Sequence, residues 1–212
     1  MKMKNKIKPI LFGTSMVQAI LEDRKTQTRI ILKPQPIETT YGKMMYGERE
    51  LTMNSLKNHS KYEIGDIIWV RETWQYSDDI EQPYLYKQKE LEELKPEFFK
   101  RMTWKPSIFM SKEACRIFLE CTNVRVERLQ DISNGDAKSE GIQNHYLFKD
   151  SGYKHYTRAD KFIPFGEADA EKTSFFSLWM SINGAVSLDA NPFVFVYDFK
   201  LTECPINFLK DE

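Results

Sequence analysis

The sequence predicts an α+β protein: a compact mixed β-barrel with a few covering helices and three long insertions. Three observations carry this. Short apolar or alternating runs with strand chemistry recur at Ile7, Ile64, Arg116, Val124 and Pro192. Helical stripes fall between strands that are not consecutive, without the regular βαβ rhythm of a parallel sheet. Polar stretches near residues 35–62, 75–111 and 143–170 are too long for ordinary connections and read as insertions. No repeat and no linker divides the 212 residues, so a single domain over 1–212 is expected.

The elements follow in order. IKPILF, Ile7 to Phe12, is a short strand, and Pro9 puts it at a sheet edge because proline cannot donate to a second neighbour. Gly13-Thr14-Ser15 leads into a helix whose stripe is Met16, Val17, Ile20 and Leu21. Ser15 with Gln18 has the spacing of a capping box, and the helix fades near Lys25. After the polar residues 34–63, Gly65-Asp66 turns the chain into IGDIIWVRETW. Alternation puts Ile68, Val70, Glu72 and Trp74 on one face, and Ile67, Trp69, Arg71 and Thr73 on the other. Both faces begin apolar, so this strand is central. Glu72 then ends an inward apolar row, a costly place for a carboxylate without a partner.

The second insertion contains a charged helical piece, KQKELEELK. Two strands follow, Arg116 to Asn123 and Val124 to Gln130. Ser133 with Asp136 caps a short helix that stops at Gly141. Residues 143–170 read as a loop rich in Tyr, Phe and Lys. A helix from Glu171 to Asn183 carries Phe175, Leu178, Trp179 and Ile182, and Gly184 stops it. Last, PFVFVYDFKL alternates Phe193, Phe195, Tyr197, Phe199 and Leu201 on one face.

Composition excludes several classes. Hydrophobic residues are 41% and charged residues 29%, with 31 cations against 31 anions. No global field draws the chain to nucleic acid or a membrane surface, so any basic patch must be local. Cys115, Cys121 and Cys204 form no CxxC, and His59, His145 and His155 are scattered. No metal is therefore expected, and a reducing, cytoplasmic setting fits. The basic start MKMKNKIK has no apolar core behind it, and no run reaches membrane-spanning length. GxGxxG, GxxxxGK[ST], HExxH and GxSxG are all missing, so no cofactor is expected.

What remains is LEDRKTQTRI, where Arg24, Lys25, Thr26, Thr28 and Arg29 crowd the end of the first helix. In a helical or turn conformation Lys25 and Thr28 share a face. A threonine hydroxyl needs an adjacent base to act as nucleophile, and a lysine serves if burial keeps it neutral. Glu72 could shuttle a proton, and Arg29 and Arg71 could hold an anion or carbonyl. The plainer alternative stands beside this. Cations suit the negative end of a helix, Glu72 could be a structural ion pair with Lys25 or Arg29, and Trp69 and Trp74 could be core. The aromatic residues of 145–165 would bind bases only if they lined a groove with Lys149, Lys154 and Lys161.

These residues resemble an ASCH domain, a family whose signature is a helix ending in GxKxxTxR followed by a strand glutamate. The matching elements are Asp23-Arg24-Lys25-Thr26-Gln27-Thr28-Arg29 and Trp69-Val70-Arg71-Glu72-Thr73-Trp74. WKPSIFM, VRVERLQDIS, EGI and LWMSINGAVSLDANPFVFVYDF are similar to a larger, prophage-associated branch. The resemblance implies a PUA-like fold. It also implies an amidohydrolase that removes the acyl group from N4-acetylcytidine or a like modified nucleoside. Lys25 would be the base, Thr28 the nucleophile and Glu72 the proton shuttle, with Arg24, Arg29, Arg71 and Trp74 binding substrate.

Asp23 stands where the motif has glycine. Either the position needs φ > 0, which Asp tolerates at a cost, or the aspartate crowds the substrate and raises the lysine pKa. Two alternatives to hydrolysis remain: a non-catalytic reader of RNA or a modified base, and a phage-encoded protein whose insertions bind a host partner. An enzyme requires Lys25, Thr28 and Glu72 to converge in one pocket. A reader requires a basic cleft, and an interaction protein an exposed apolar patch.

Overall fold

The computed structural model describes residues 6–38, 44–47, 49–50, 52–89, 102–147, 150–158 and 161–209. The basic residues 1–5, residues 90–95 of the charged segment, and Phe148 and Lys149 lie outside the described residues. In chain order the elements are β1 (Ile7–Leu11), α1 (Thr14–Leu21), β2 (Gln27–Ile31), β3 (Ile37–Glu38), β4 (Met44–Tyr46), β5 (Arg49–Glu50) and α2 (Met53–Leu56). Then come β6 (Ile67–Arg71), β7 (Trp74–Tyr76), β8 (Tyr84–Tyr86), β9 (Phe118–Arg128), α3 (Asn134–Ser139), β10 (Asn144–Leu147), β11 (Asp150–Lys154) and β12 (Phe162–Pro164). The chain ends with α4 (Ala170–Asn183), α5 (Ala185–Asp189) and β13 (Phe193–Thr202). The protein is α+β.

The chain forms two compact units. The first draws on Met1–Glu22, Ile64–Cys121 and Lys200–Glu212, the second on Asp23–Glu63 and Thr122–Phe199. In the first unit β6 lies between β1, to which it is parallel, and the start of β9, to which it is antiparallel. The central position expected for IIWVR and the edge position expected for Pro9 are both found. Burial follows the alternation: Ile68, Val70, Glu72 and Trp74 are all buried, while Ile67 and Arg71 are partly exposed. Trp69, Phe118 and Phe208 form one small core, and Trp74, Met110 and Ala114 another. The strand ends earlier than Trp74, because β7 turns away to pair with β8 as a separate two-stranded ribbon.

In the second unit β13 runs between β9 and β2. Its core gathers Leu129, Ile132, Phe175, Trp179, Val194 and Val196, with α4 supplying the two large rings. No sheet closes into a barrel among the described residues. Four further readings change. Gly13, not Ser15, caps α1, with no side-chain bond, so the Ser15–Gln18 capping box is not used. The two strands expected at 116–130 are one continuous strand. The region 143–170, read as a loop, folds into the antiparallel sheet β10-β11-β12. The first insertion likewise carries the small sheet β3-β4-β5. The Ser133 cap is as expected: its hydroxyl accepts from the Asp136 amide at 3.0 Å.

Candidate functional site

Helix α1 ends earlier than the cluster it was expected to carry. After Leu21, Glu22 caps the helix and Asp23 takes φ = 55°, the left-handed conformation that a C-terminal stop requires. Asp is among the few residues besides glycine that adopt it readily. From there the backbone is extended rather than helical. Lys25 forms an isolated antiparallel bridge with Glu140, and β2 begins at Gln27. Extension changes the facing rule, because residues three apart in a strand point to opposite sides. Gln27 and Arg29 turn toward Asp136 and Glu140, whereas Thr28 lies opposite Tyr197 in the ladder and shares its face. The expected pairing of Lys25 with Thr28 on one helical face does not form.

Lys25 instead anchors a buried polar network within the second unit. Its residue is 3% exposed. Its ammonium donates to the Gln27 carbonyl at 2.8 Å, the Glu140 carbonyl at 3.0 Å and the Glu140 Oε2 at 2.9 Å. The other Glu140 oxygen accepts from Arg29 Nη1 at 2.9 Å. Arg29, with a fully buried side chain, also reaches Glu127 at 3.2 Å and lies over the Phe175 ring. Its Nε finds no acceptor among the described residues. Arg125 joins Glu127, Asp136 and Asp198, and Gln27 bridges Asp136 and Asp198. Burial pushes the Asp136 carboxyl up. The hydrogen bonds from Gln27 and Ser133 and the charges of Arg125 and Arg29 outweigh it, holding Asp136 below the usual carboxylate range.

Glu140 owes its place to Gly141. It caps α3, and the next residue, at φ = 86°, makes the left-handed turn that ends the helix.

Glu72 belongs to the first unit, and it has a partner there. The residue is 1% exposed, and Arg116 clamps it with both Nε to Oε1 at 2.9 Å and Nη2 to Oε2 at 3.0 Å. The inward carboxylate is thus a two-point ion pair, as burial demands. The partner is Arg116, not the Lys25 or Arg29 that the sequence offers. Arg71 donates from Nη2 to the Ile108 carbonyl and lies over the Trp69 ring. Trp74 is 2% exposed and packs on Tyr76 and Tyr84, so it is core rather than an open stacking surface. Among the named candidates, then, Lys25 and Arg29 meet on Glu140, Thr28 faces away from them, and Glu72 is held in its own unit.

A cleft of about 460 Å³ opens beside the motif within the second unit. Asp23, Arg24 and Thr26 line it from the motif side, facing Lys138, Asn144 and Tyr153. Arg24 Nη1 donates to the Gly141 carbonyl at 2.9 Å, which orients the guanidinium. The Tyr153 hydroxyl donates to Glu171 Oε1 at 3.0 Å, and Lys138 pairs with the same oxygen at 2.9 Å. Those hydrogen bonds from Lys138 and Tyr153 lower the Glu171 carboxyl, and the bond to Glu171 raises the Lys138 amine. The cleft therefore presents fixed cations and hydroxyls.

Sequence alone does not mark Glu140, Arg125, Arg116 or Lys138, and it marks Asp136 only as a helix cap. The available signal was the demand itself: buried Lys25 and Glu72 require opposite charges, and EGI places a carboxylate immediately before a helix-ending glycine. Among the described residues no group of three or more His, Cys, Asp or Glu is arranged to hold a metal, and no helix is long and apolar enough to cross a membrane. No known protein family, curated protein or solved structure matches this chain.

Proposed function

We propose that this is an ASCH-related protein of PUA-like ancestry that binds a modified nucleoside or an RNA end without hydrolysing it. The observation that carries the reading is the state of Lys25. An amine that donates three hydrogen bonds, one of them to a buried carboxylate, has no lone pair to offer. Thr28, on the opposite face of its strand, has no base in that network. Catalysis by the motif would require both to move, at the cost of taking the Lys25 ammonium away from buried Glu140.

Binding requires no such rearrangement. The adjacent cleft is of nucleoside size and offers Arg24 and Lys138 for phosphate, and the Asn144 amide for a base edge. The neutral total charge suits a short or single-residue ligand better than a long polymer.

The test combines turnover with binding. The purified protein is incubated with N4-acetylcytidine and a panel of other acylated and modified nucleosides, read by mass spectrometry. Calorimetric titration follows with the matching nucleotides and short RNAs at two salt concentrations. Unchanged nucleosides, together with nucleotide or short-RNA binding that weakens with salt and falls by one site in Arg24→Ala and Lys138→Ala, is the expected result. Deacylation that disappears in Thr28→Ala would replace this reading with the amidohydrolase.

A further inference from the structure

The first unit contains a cleft that the motif does not account for. It has a volume of about 300 Å³ and is lined by Pro83, Tyr84, Leu85, Tyr86, Lys89 and Arg116. Its geometry begins with the β7–β8 ribbon. The register pairs Trp74 with Tyr86 and Tyr76 with Tyr84, so all four rings share one face of the ribbon. Trp74 is sunk into the core, and the tyrosines pack around it. Tyr86 is fixed by donating its hydroxyl to the Ala114 carbonyl at 2.8 Å. Burial, reinforced by the Glu72 charge and opposed by that of Arg116, pushes its phenol up to about 12, so it stays a neutral ring.

Arg116 is the informative residue. Its guanidinium lies over Tyr86 with Cζ 4.2 Å from the ring centroid. Nε and Nη2 are spent on the two Glu72 oxygens, and Nη2 also donates to Gln88 Oε1 at 3.1 Å. A guanidinium has five N–H donors. The pair on Nη1 meets no acceptor among the described residues, although the side chain is 26% exposed and lines the cleft. Glu72 therefore does more than balance a charge. It locks the guanidinium plane while leaving one edge unspent.

We infer that this cleft is a second ligand site, and that its ligand is a flat aromatic ring bearing an anionic group, of mononucleotide size. Arg116 Nη1 supplies the anion contact, with Lys89 lining the same cleft, and Tyr84 supplies stacking surface. Pro83 and Leu85 line the same cleft with apolar surface, which suits a ring better than a free inorganic ion. The inference is independent of the proposed function, since it shares no residue with the cleft beside the motif.

The full chain is titrated by calorimetry and ligand-observed NMR with cytidine and adenosine monophosphates, the corresponding nucleosides, inorganic phosphate and 4-hydroxybenzoate. Because Arg116→Ala strands Glu72 and threatens folding, Tyr84→Leu, Lys89→Ala and the charge-retaining Arg116→Lys are used. A mononucleotide or the aromatic carboxylate should bind where nucleoside and phosphate do not, and the two arms identify the source of the anion. Tyr84→Leu should weaken that ligand about tenfold, and Arg116→Lys should weaken it in a chain that remains folded by circular dichroism. Titrations in the Lys138→Ala background, which disables the cleft beside the motif, should show this site as the binding event that remains. Phosphate binding as well as the ring-bearing ligands, no binding of any probe at millimolar concentration, or equal affinity in Tyr84→Leu would each overturn the inference.

Discussion

Glu140→Gln is the substitution that interrogates the buried network most directly. The change keeps volume and removes one charge at a position 6% exposed. In the parent, one carboxylate oxygen accepts from Lys25 and the other from Arg29, each at 2.9 Å. Hydrogen bonds to charged groups contribute about 1.5–3 kcal/mol each. The amide oxygen can keep one of them, while its NH2 must face the other donor. Arg29 retains Glu127 and Asp136, whereas Lys25 keeps the Gln27 and Glu140 carbonyls.

The loss should therefore lie near the low end of what breaking a buried pair costs, about 3 kcal/mol. For a chain of this length that corresponds to a fall in melting temperature of roughly 6–12 °C. Circular-dichroism melts of the parent, Glu140→Gln, Lys25→Met and the double variant form a cycle. The double variant should be less damaged than the sum of the singles by at least about 1 kcal/mol, because removing both charges leaves no orphan. A Glu140→Gln melt within a degree of the parent, or additive singles, would refute the argument. The Lys25 contacts would then be incidental, and its amine available for chemistry after all.

Two further outcomes concern stability. Asp136 is held below its ordinary carboxylate value in the folded chain, so its contribution is complete above the unfolded value of 3.8 and is lost as pH falls through the folded one. Acid titration followed by intrinsic tryptophan fluorescence should show stability declining below about pH 4, and Asp136→Asn should flatten that limb. At the motif, Asp23→Gly should leave the urea midpoint unchanged or raise it. Asp23→Val should cost about 1–2 kcal/mol, because a β-branched residue resists the left-handed turn.

Local features were legible wherever local chemistry decided them. The alternation from Ile67 to Trp74 foretold both the central strand and the burial of Glu72, and Ser133 foretold the start of α3. Asp23 at φ = 55° matches the reading that the motif glycine marks a left-handed helix stop. What failed depended on contacts distant in sequence. Lys25 and Thr28 look like helical neighbours only if the helix continues, and it stops at Leu21 because the chain is recruited as a strand beside β13. Arg116 lies 44 positions from Glu72, and Glu140 lies 115 from Lys25. Nothing in their immediate surroundings announces those pairs. The region 143–170 reads as a loop because glycine and charged residues dilute its alternation. Its hairpin register sets Gly152 opposite Pro164, where a Cβ on residue 152 would clash with the Ile163 carbonyl oxygen.

The division of the chain at Glu22, Glu63, Cys121 and Phe199 has a consequence for biosynthesis. Both stretches of the second unit, Asp23–Glu63 and Thr122–Phe199, are translated before Lys200 is added. The first unit, begun at the amino end, must wait for that final stretch to be made. During synthesis the part that starts earliest finishes last, and neither part can be released intact by a single proteolytic cut.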